Sequence, residues 1–381
     1  MINTICELKD LCKRIESSPS VAIDTEFISG EAPKTILSVV QVGFNHQDVF
    51  LIDALAFEDL NILRPVLESE DIIKIMHDGG QDLELISQSS GAIPQNIFDI
   101  KLGARLLGAG TNYSLSEIVH TFCGIGLSKE QQRSDWLLRP LSDAQISYAE
   151  QDVKYLPEIQ TMIRSQAEKM GRLHWIDEDM LKFNDPNHYT PLSPSERILR
   201  SSMAHFFEPS QRAVLVALTE WRSQVSEILC ITPKQLIKDG EILRLATRRI
   251  TKPASVGRVC RSLPRRYQAE VAKLIRKALK TPKHHCPSSF AQSPLKGIEI
   301  IKRRLLQAVV DGCALDHGIQ PDLIASKSVL NDLVLNPDMS DSILLHGWRR
   351  ELIGNDLLRV LEGSASVELN QGSIKLRSVR H

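Results

Sequence analysis

No two of the seven cysteines, Cys6, Cys12, Cys123, Cys230, Cys260, Cys286 and Cys313, fall in a C-x-x-C spacing. An odd, unpatterned set offers neither a disulfide framework nor a zinc site, and it suits a reducing compartment. There is no run of about 18 apolar residues, so no segment reads as a membrane span. The opening stretch MINTICELKDLCKRIESS carries charges throughout. It reads as a capped amphipathic helix, not a signal peptide, and the expected location is cytoplasmic. No G-x-x-x-x-G-K-S/T phosphate loop is present, which removes a helicase reading. What remains is an ordinary globular composition, 42% apolar and 24% charged over 381 residues. That is enough chain for two or three domains, each burying its own core.

The formal net charge of −1 hides a division. Residues 1–160 hold 12 Lys/Arg against 24 Asp/Glu, a balance of −12. Residues 244–283 hold 13 Lys/Arg and only Glu270, a balance of +12. Such asymmetry points to an acidic body joined to a polyanion-binding module; the plainer alternative is a solvated basic helix face.

The first half alternates β-rich runs with helical patterns, the mark of a layered α/β fold. VAIDTEF (21–27), ILSVVQVGF (36–44) and DVFLID (48–53) read as consecutive strands in a meander. A helix near 58–68, a strand at 71–77, a helix from about 79, a strand at 96–99 and a helix directly after it follow. Helices near 114–122 and 142–170 complete this region. A meander followed by α/β units makes a mixed sheet. LKFNDPNHYTPLSPS (181–195) and TPKHHCPSSFAQSP (281–294) read as linkers. ITPKQLIKDGEILRLA (231–246) and IQPDLIASKSVLNDLV (319–334) share I-x-P, then L-I, then a Leu six residues later, a repeat that favours two related helical modules. The expected order is a domain at 1–180, a linker at 181–203, helical modules at 204–283 and 295–363 around a linker at 284–294, and a C-terminal tail or hairpin at 364–381. The hairpin reading rests on alternation around an N-Q-G turn.

Three pieces carry candidate chemistry. In V-A-I-D-T-E-F, residues two apart on a strand face one side, so Asp24 and Glu26 project together, and two neighbouring carboxylates repel unless a cation or protons neutralise them. The alternative is a strand with one polar face. In I-I-K-I-M-H-D-G-G-Q-D-L, a strand ends at His77, two glycines loosen the chain and Asp82 opens a helix. Ligands in α/β folds gather at such strand ends, although an Asp there also serves simply to stabilise a helix N-terminus. In I-S-Y-A-E-Q-D-V-K-Y-L, Tyr148 and Asp152 are four apart on one helix face, which is also the spacing of an ordinary surface pair. Asp53, Asp78, Glu84, Asp99, Asp135 and Glu150 are read as structural or capping carboxylates.

Together the pieces resemble the DEDDy exonucleases, which take their name from this carboxylate and tyrosine set. The stretch KEQQRSDWLLRPLSDAQISYAEQDVKYL (129–156) is similar to the hallmark region of the ribonuclease D family. LTEWRSQV (218–225) and LHGWRRELIG (345–354) resemble helices of HRDC modules. GEAPKTI (30–36) departs from the family by lacking a Tyr and an Arg before this strand. The resemblance implies a ribonuclease H-like α/β exonuclease domain followed by two small all-α HRDC-type domains. It also implies a 3′→5′ exoribonuclease releasing nucleoside 5′-monophosphates with two divalent cations, Mg²⁺ or Mn²⁺.

Phosphodiester hydrolysis needs an activated water, shielding of the transferring phosphorus and a stabilised leaving oxygen, and two hard cations about 3.5–4 Å apart can supply all three. Hard cations take oxygen ligands, so four carboxylates suffice. By resemblance Asp24 bridges both cations, Glu26 and Asp152 complete the site of the attacking water, and Asp82 supports the second cation through water. Tyr148, with an ordinary pKa of about 10, is a poor base at neutral pH; its hydroxyl is expected to orient the water. The backbone at Thr25 and Phe27 and the Phe27 ring are candidates to receive the terminal nucleotide, by stacking in the case of the ring, with ordinary core as the equal alternative for Phe27. His77 is read as a hydrogen-bonder beside the site or in the core, and Trp136 as packed beneath it. Lys129 and Arg133 are candidates for phosphate contacts, as are Arg248, Arg249, Arg265 and Arg266 of the basic segment. The expected partner is RNA with a free 3′ end, precursor tRNA by resemblance, with no membrane and no obligate protein partner. Two competing readings are a DNA 3′→5′ exonuclease and an inactive exonuclease fold acting as a nucleic-acid adaptor.

Overall fold

The computed structural model describes residues 1–28, 35–109, 113–127, 131, 134–190, 192–201, 206–288, 295–338, 341–370 and 372–379. The chain divides into two compact units, one of Met1–Phe27, Leu37–Thr190 and Leu295–His381, the other built on Pro191–Pro294.

The first unit begins with helix α1 (Ile5–Glu16), whose start is fixed by a capping box between Thr4 and Glu7. Strands β1 (Ser20–Ile28), β2 (Ile36–Asn45) and β3 (Asp48–Asp53) follow as the expected meander. The predicted helix near 58–68 shrinks to a 3-10 turn running into α2 (Arg64–Glu68), where Pro65 sets the first helical turn. Then come β4 (Ile73–Met76), α3 (Gly80–Ser90), β5 (Ile97–Asp99), α4 (Ile100–Leu107) and α5 (Leu115–Cys123). The long helix expected over 142–170 is two: α6 (Asp143–Lys154) and α7 (Leu156–Lys169). Pro157 is the reason, since its ring lacks an N–H and would clash with the carbonyl four residues back in a continuous helix.

The sheet is mixed, in the order β3-β2-β1-β4-β5, with β2 and β3 antiparallel and β1, β4 and β5 parallel. β1 is its central strand. Val21 and Ile23 of β1, Val40 and Val42 of β2, and Ile15, Val66 and Ile86 of α1, α2 and α3 line one small apolar cavity, which defines one covered face. The other face carries α6: a Cβ added to Gly43 of β2 would stand 3.1 Å from Val153, so the helix lies close on this strand and a side chain here would press on it.

Residues 181–190 of the segment read as a linker at 181–195 take up regular turns. After α8 (Leu173–Met180) two 3-10 turns, Leu181–Asn184 and Pro186–His188, bury Phe183 and Tyr189. The second unit holds α9 (Pro194–Arg200), α10 (Pro209–Ile228), α11 (Pro233–Leu236), α12 (Asp239–Thr247), α13 (Pro253–Val259) and α14 (Arg265–Ala278), closed on its own core.

The chain returns to the first unit with α15 (Ile298–His317), α16 (Pro321–Ile324), α17 (Lys327–Leu335), α18 (Gly347–Arg349), a π-helical turn at Arg350–Gly354 and α19 (Asn355–Glu362). Strands β6 (Ala365–Asn370) and β7 (Ser373–Ser378) then pair as the expected hairpin. The repeat is visible in three dimensions: a four-residue helix, two extended residues and a nine-residue helix occur at Pro233–Thr247 and, in the same register, at Pro321–Leu335.

This C-terminal bundle shares one core with the α/β body. Trp348 stacks on Trp175 at 4.5 Å and donates its indole N–H to Asp179 at 3.0 Å, while Arg349 makes a paired ion contact with the same carboxylate. Gly108, at φ 72°, ends α4 directly against the carbonyl of Gly318, where no side chain fits.

Candidate active site

β1 pairs with β4 only over Ser20–Ala22, so the rest of β1 runs past the end of its neighbour. There the chain leaving β4 turns through His77–Gly79 into α3. Asp24 and Glu26 alternate with Ile23 and therefore face α6, whereas Thr25 faces α3. Thr25 is buried and its hydroxyl donates to Asp82, in the first turn of α3. Tyr148 and Asp152 follow one another on α6, whose start is set by a Ser142–Gln145 capping box, and the phenol donates to the Asp152 carboxylate. Carboxylates thus reach the end of β1 from both faces of the sheet.

Their electrostatics show how close they are. Desolvation, then the charges of Asp82, Asp152 and Glu26, hold Asp24 well above the usual carboxylate range. Desolvation, with Asp152 and Asp82, pushes Glu26 up to about 9. Burial raises Asp152 to about 7 against the opposing hydrogen bond from Tyr148. Asp82 is raised by burial although the Thr25 hydroxyl pulls it down. Tyr148 is pushed well above an ordinary phenol, first by burial and then by Asp152, Glu26 and Asp24. A phenol so shifted keeps its proton and is available as a hydrogen-bond donor.

Four acids sharing desolvated space need compensating positive charge, and among them there is no nitrogen or sulfur donor. An all-oxygen, anionic set is the chemistry of a hard divalent cation. Among the described residues no group of three or more acidic, histidine or cysteine side chains stands close enough to hold an ion as it is. The fit to a cation therefore lies in donor type and charge, and the side chains must draw inward to grip one.

The neighbours take supporting places. Trp136, 1% exposed, leans on Tyr148 with ring centroids 6.1 Å apart, and its carbonyl accepts from Ser38 and Arg139. Arg139 also holds Asp53 in a two-pronged ion pair, a latch that the sequence reading missed because its members are 86 residues apart. His77 bonds the Tyr113 carbonyl at 2.9 Å, Asp78 pairs with Lys101, and Asp99 caps α4. Phe27 is half-buried against the core. The Thr25 hydroxyl is committed to Asp82. Lys129, Arg133 and most of the 30–36 stretch lie outside the described residues. Arg248, Arg249, Arg265 and Arg266 sit in the second unit, all exposed, with Arg249 paired to Glu208 and Arg266 over the Tyr267 ring at 4.8 Å.

Fold and site together define a hydrolytic 3′→5′ exonuclease, and residues 1–168 match the 3'-5' exonuclease family. The chain is 31% identical to the ribonuclease D of Granulibacter bethesdensis, covering 97% of this chain and 94% of the relative. It is 28% identical to that of Gluconacetobacter diazotrophicus, over 95% and 93%. The crystal structure of Escherichia coli RNase D, an exoribonuclease involved in structured RNA processing, superposes with a TM-score of 0.84 at 25% identity, over 95% of this chain and 98% of that one. The catalytic core of RRP6 from Trypanosoma brucei shares the fold, with a TM-score of 0.56 at 21% identity over 73% and 79% of the two chains. The chain belongs to the ribonuclease D family. Its activity is that of a 3′→5′ exoribonuclease, and the family works with divalent metal ions.

Proposed function

We propose that Asp24, Glu26, Asp82 and Asp152 hold two divalent cations, Mg²⁺ or Mn²⁺, with which the enzyme removes nucleoside 5′-monophosphates from precursor tRNA 3′ ends. The observation that carries the site assignment is the upward displacement of all four carboxyl groups by desolvation and mutual charge, a state that cations relieve. Bound there, divalent cations supply Lewis acidity to water and neutralise charge on the scissile phosphate. Asp24, as the acid that feels the other three, would be the central holder of the cations. Tyr148 donates from its hydroxyl and orients the attacking water, while Trp136 behind it sets the ring. Thr25 holds Asp82 in register with β1.

The substrate reading rests on charge. All 13 cationic side chains of 244–283 are exposed, whereas the catalytic body is acidic. We assign phosphate binding to this second-unit surface, through Arg248, Arg249, Arg265 and Arg266 among others, and single-strand capture to Phe27 and the residues around it. The RNA processing known for the Escherichia coli relative is the ground for a structured substrate. The seven free cysteines fit work in the reducing cytoplasm.

The deciding experiment is a time course on matched 3′-tailed tRNA and DNA oligomers, with Mg²⁺ or EDTA, for the natural chain and Asp24→Asn. Stepwise shortening of the RNA from its 3′ end, faster than of DNA and lost with EDTA or in the variant, is the expected result. Equal turnover by folded Asp24→Asn would remove the metal assignment. Binding without cleavage by the natural chain would favour an adaptor.

A further inference from the structure

Among the described residues three buried side-chain polar atoms have no hydrogen-bond partner, and they belong to two residues: Oε1 and Nε2 of Gln41, and Nε1 of Trp136. An orphaned buried dipole has given up water for nothing, so natural folds keep few of them, and each calls for a reason. Gln41 is fully buried, a lone amide in the apolar run ILSVVQVGF.

Its position supplies the reason. Val40 and Val42 line the cavity on the face of the sheet covered by α1, α2 and α3, together with Val21 and Ile23 of β1. Side chains alternate along a strand, so Gln41 and Gly43 face the other way, as do Asp24 and Glu26. Gly43 confirms this for β2, since a Cβ there would meet Val153 of α6. β2 lies next to β1 in the sheet. Gln41 therefore stands on the strand beside the D-x-E strand, on the same face, under the helix that carries Tyr148 and Asp152. Trp136 closes this space from the side, its ring against Tyr148 and its carbonyl tied to Ser38 of β2.

The donors and acceptors match. Ionised carboxylates only accept, an indole only donates, and an amide does both without adding charge. A second acid at position 41 would deepen the repulsion, and an apolar residue would leave the β1 carboxylates unguided. We propose that Gln41 is a positioning residue of the metal site: as the β1 carboxylates draw in to take up divalent cations, its unpartnered Oε1 comes to accept the indole N–H of Trp136 and its Nε2 to donate to those carboxylates, fixing their orientation. This rests on the reading that those carboxylates bind cations.

The test uses the full chain with Gln41→Met, which keeps length and volume, and Trp136→Phe, which keeps a ring and deletes the indole N–H. Melting temperature is followed in EDTA and through a Mn²⁺ titration, and cleavage of a short RNA is followed over the same titration. Gln41→Met should melt at or above the natural chain in EDTA, because an apolar thioether replaces an orphaned amide. Its half-saturating Mn²⁺ should rise about tenfold or more in both titrations, the usual scale for losing an outer-sphere partner. Trp136→Phe should shift the same way by less, and it carries the test alone if Gln41→Met does not fold. If the Mn²⁺ curves of the folded variants overlay the natural one, Gln41 only fills space and the proposal fails. The parent reading fails separately, if Asp24→Asn shows the same Mn²⁺-dependent rise in melting temperature as the natural chain.

Discussion

Asp152→Asn should make the metal-free protein more stable and the enzyme inactive. Burial holds the Asp152 carboxyl at about 7, against 3.8 in an unstructured chain. A raised acid is stabilised in its neutral form by the fold, so the folded state binds a proton that the unfolded state releases between those two values. The contribution of Asp152 is therefore neutral below about pH 4. It turns unfavourable as pH rises and reaches its full cost above about pH 7. Three pKa units correspond to roughly 4 kcal/mol. Asparagine keeps the size and can still accept from Tyr148, so the variant should gain on the order of 2–4 kcal/mol at pH 8 in EDTA and nothing at pH 4. Urea unfolding at both pH values reads this directly. With excess Mg²⁺ the order should narrow or reverse, because only the natural site gains free energy from the full cation complement. A variant no more stable than the natural chain at pH 8, or one whose advantage persists unchanged at pH 4, refutes the argument.

Tyr148→Phe keeps the ring against Trp136 and removes only the donor, so kcat should fall by roughly two to three orders of magnitude, the scale of losing one preorganised hydrogen-bond donor, with KM little changed. An unchanged kcat in single-turnover assays removes Tyr148 from the chemistry. Neutralising Arg248, Arg249, Arg265 and Arg266 together should flatten the slope of log affinity for tRNA against log salt by up to about 3.6, at roughly 0.9 per phosphate contact. An unaltered slope means those side chains touch no phosphate. Lys74, 1% exposed in the apolar cavity under α1 and α2, is held at about 7 by desolvation, with Nζ bonded only to the Ser69 and Ile72 carbonyls. A depressed lysine costs stability most where it is charged, below about pH 7, and nothing above about 10.5. Lys74→Met should therefore gain about 1–3 kcal/mol at pH 6 and converge on the natural chain near pH 10.5, a crossover that paired unfolding curves would detect.

The parts of this site legible in the sequence are those written in short-range periodicity. Asp24 and Glu26 share a face because strands alternate, and Tyr148 and Asp152 because four residues span a helical turn. Asp82 announced itself through the glycine pair before it. The mixed sheet and the closing hairpin followed from equally local signals. What stayed hidden lies between distant residues. The Thr25–Asp82 bond spans 57 positions and the Asp179–Arg349 pair 170, and neither leaves a pattern in a window of ten. Phe183 and Tyr189 sit in a Pro/Asn-rich stretch whose composition reads as linker, yet both rings are buried. Pro157 was a local signal that the helical pattern around it outweighed. Gln41 was legible in principle, as one amide in an apolar strand, but only its missing partners give it meaning.

The docking of the C-terminal bundle bears on the same energetics. A cluster of desolvated like charges and two orphaned side chains make the end of β1 an unfavourable place to fold, and the compensation must come from elsewhere in the unit. One route of contacts runs from the bundle to that edge. Trp348 and Arg349 grip Asp179 of α8; the next residue, Met180, accepts the amide of Asp99 through its sulfur; and Asp99 pairs in register with Met76, the last residue of β4 before the turn to Asp82. The Asp179 carboxylate and the Arg349 side chain are about nine-tenths buried, and losing one member of such a pair typically costs about 3–5 kcal/mol. The bundle is thus bound into the body that carries the repulsive site, and the segments on either side of the basic unit fold as one. A chain with a weak grip at Asp179 would have least reserve where the carboxylates are ionised and no cation screens them, so the stability of the bundle and the chemistry of the site are linked through pH.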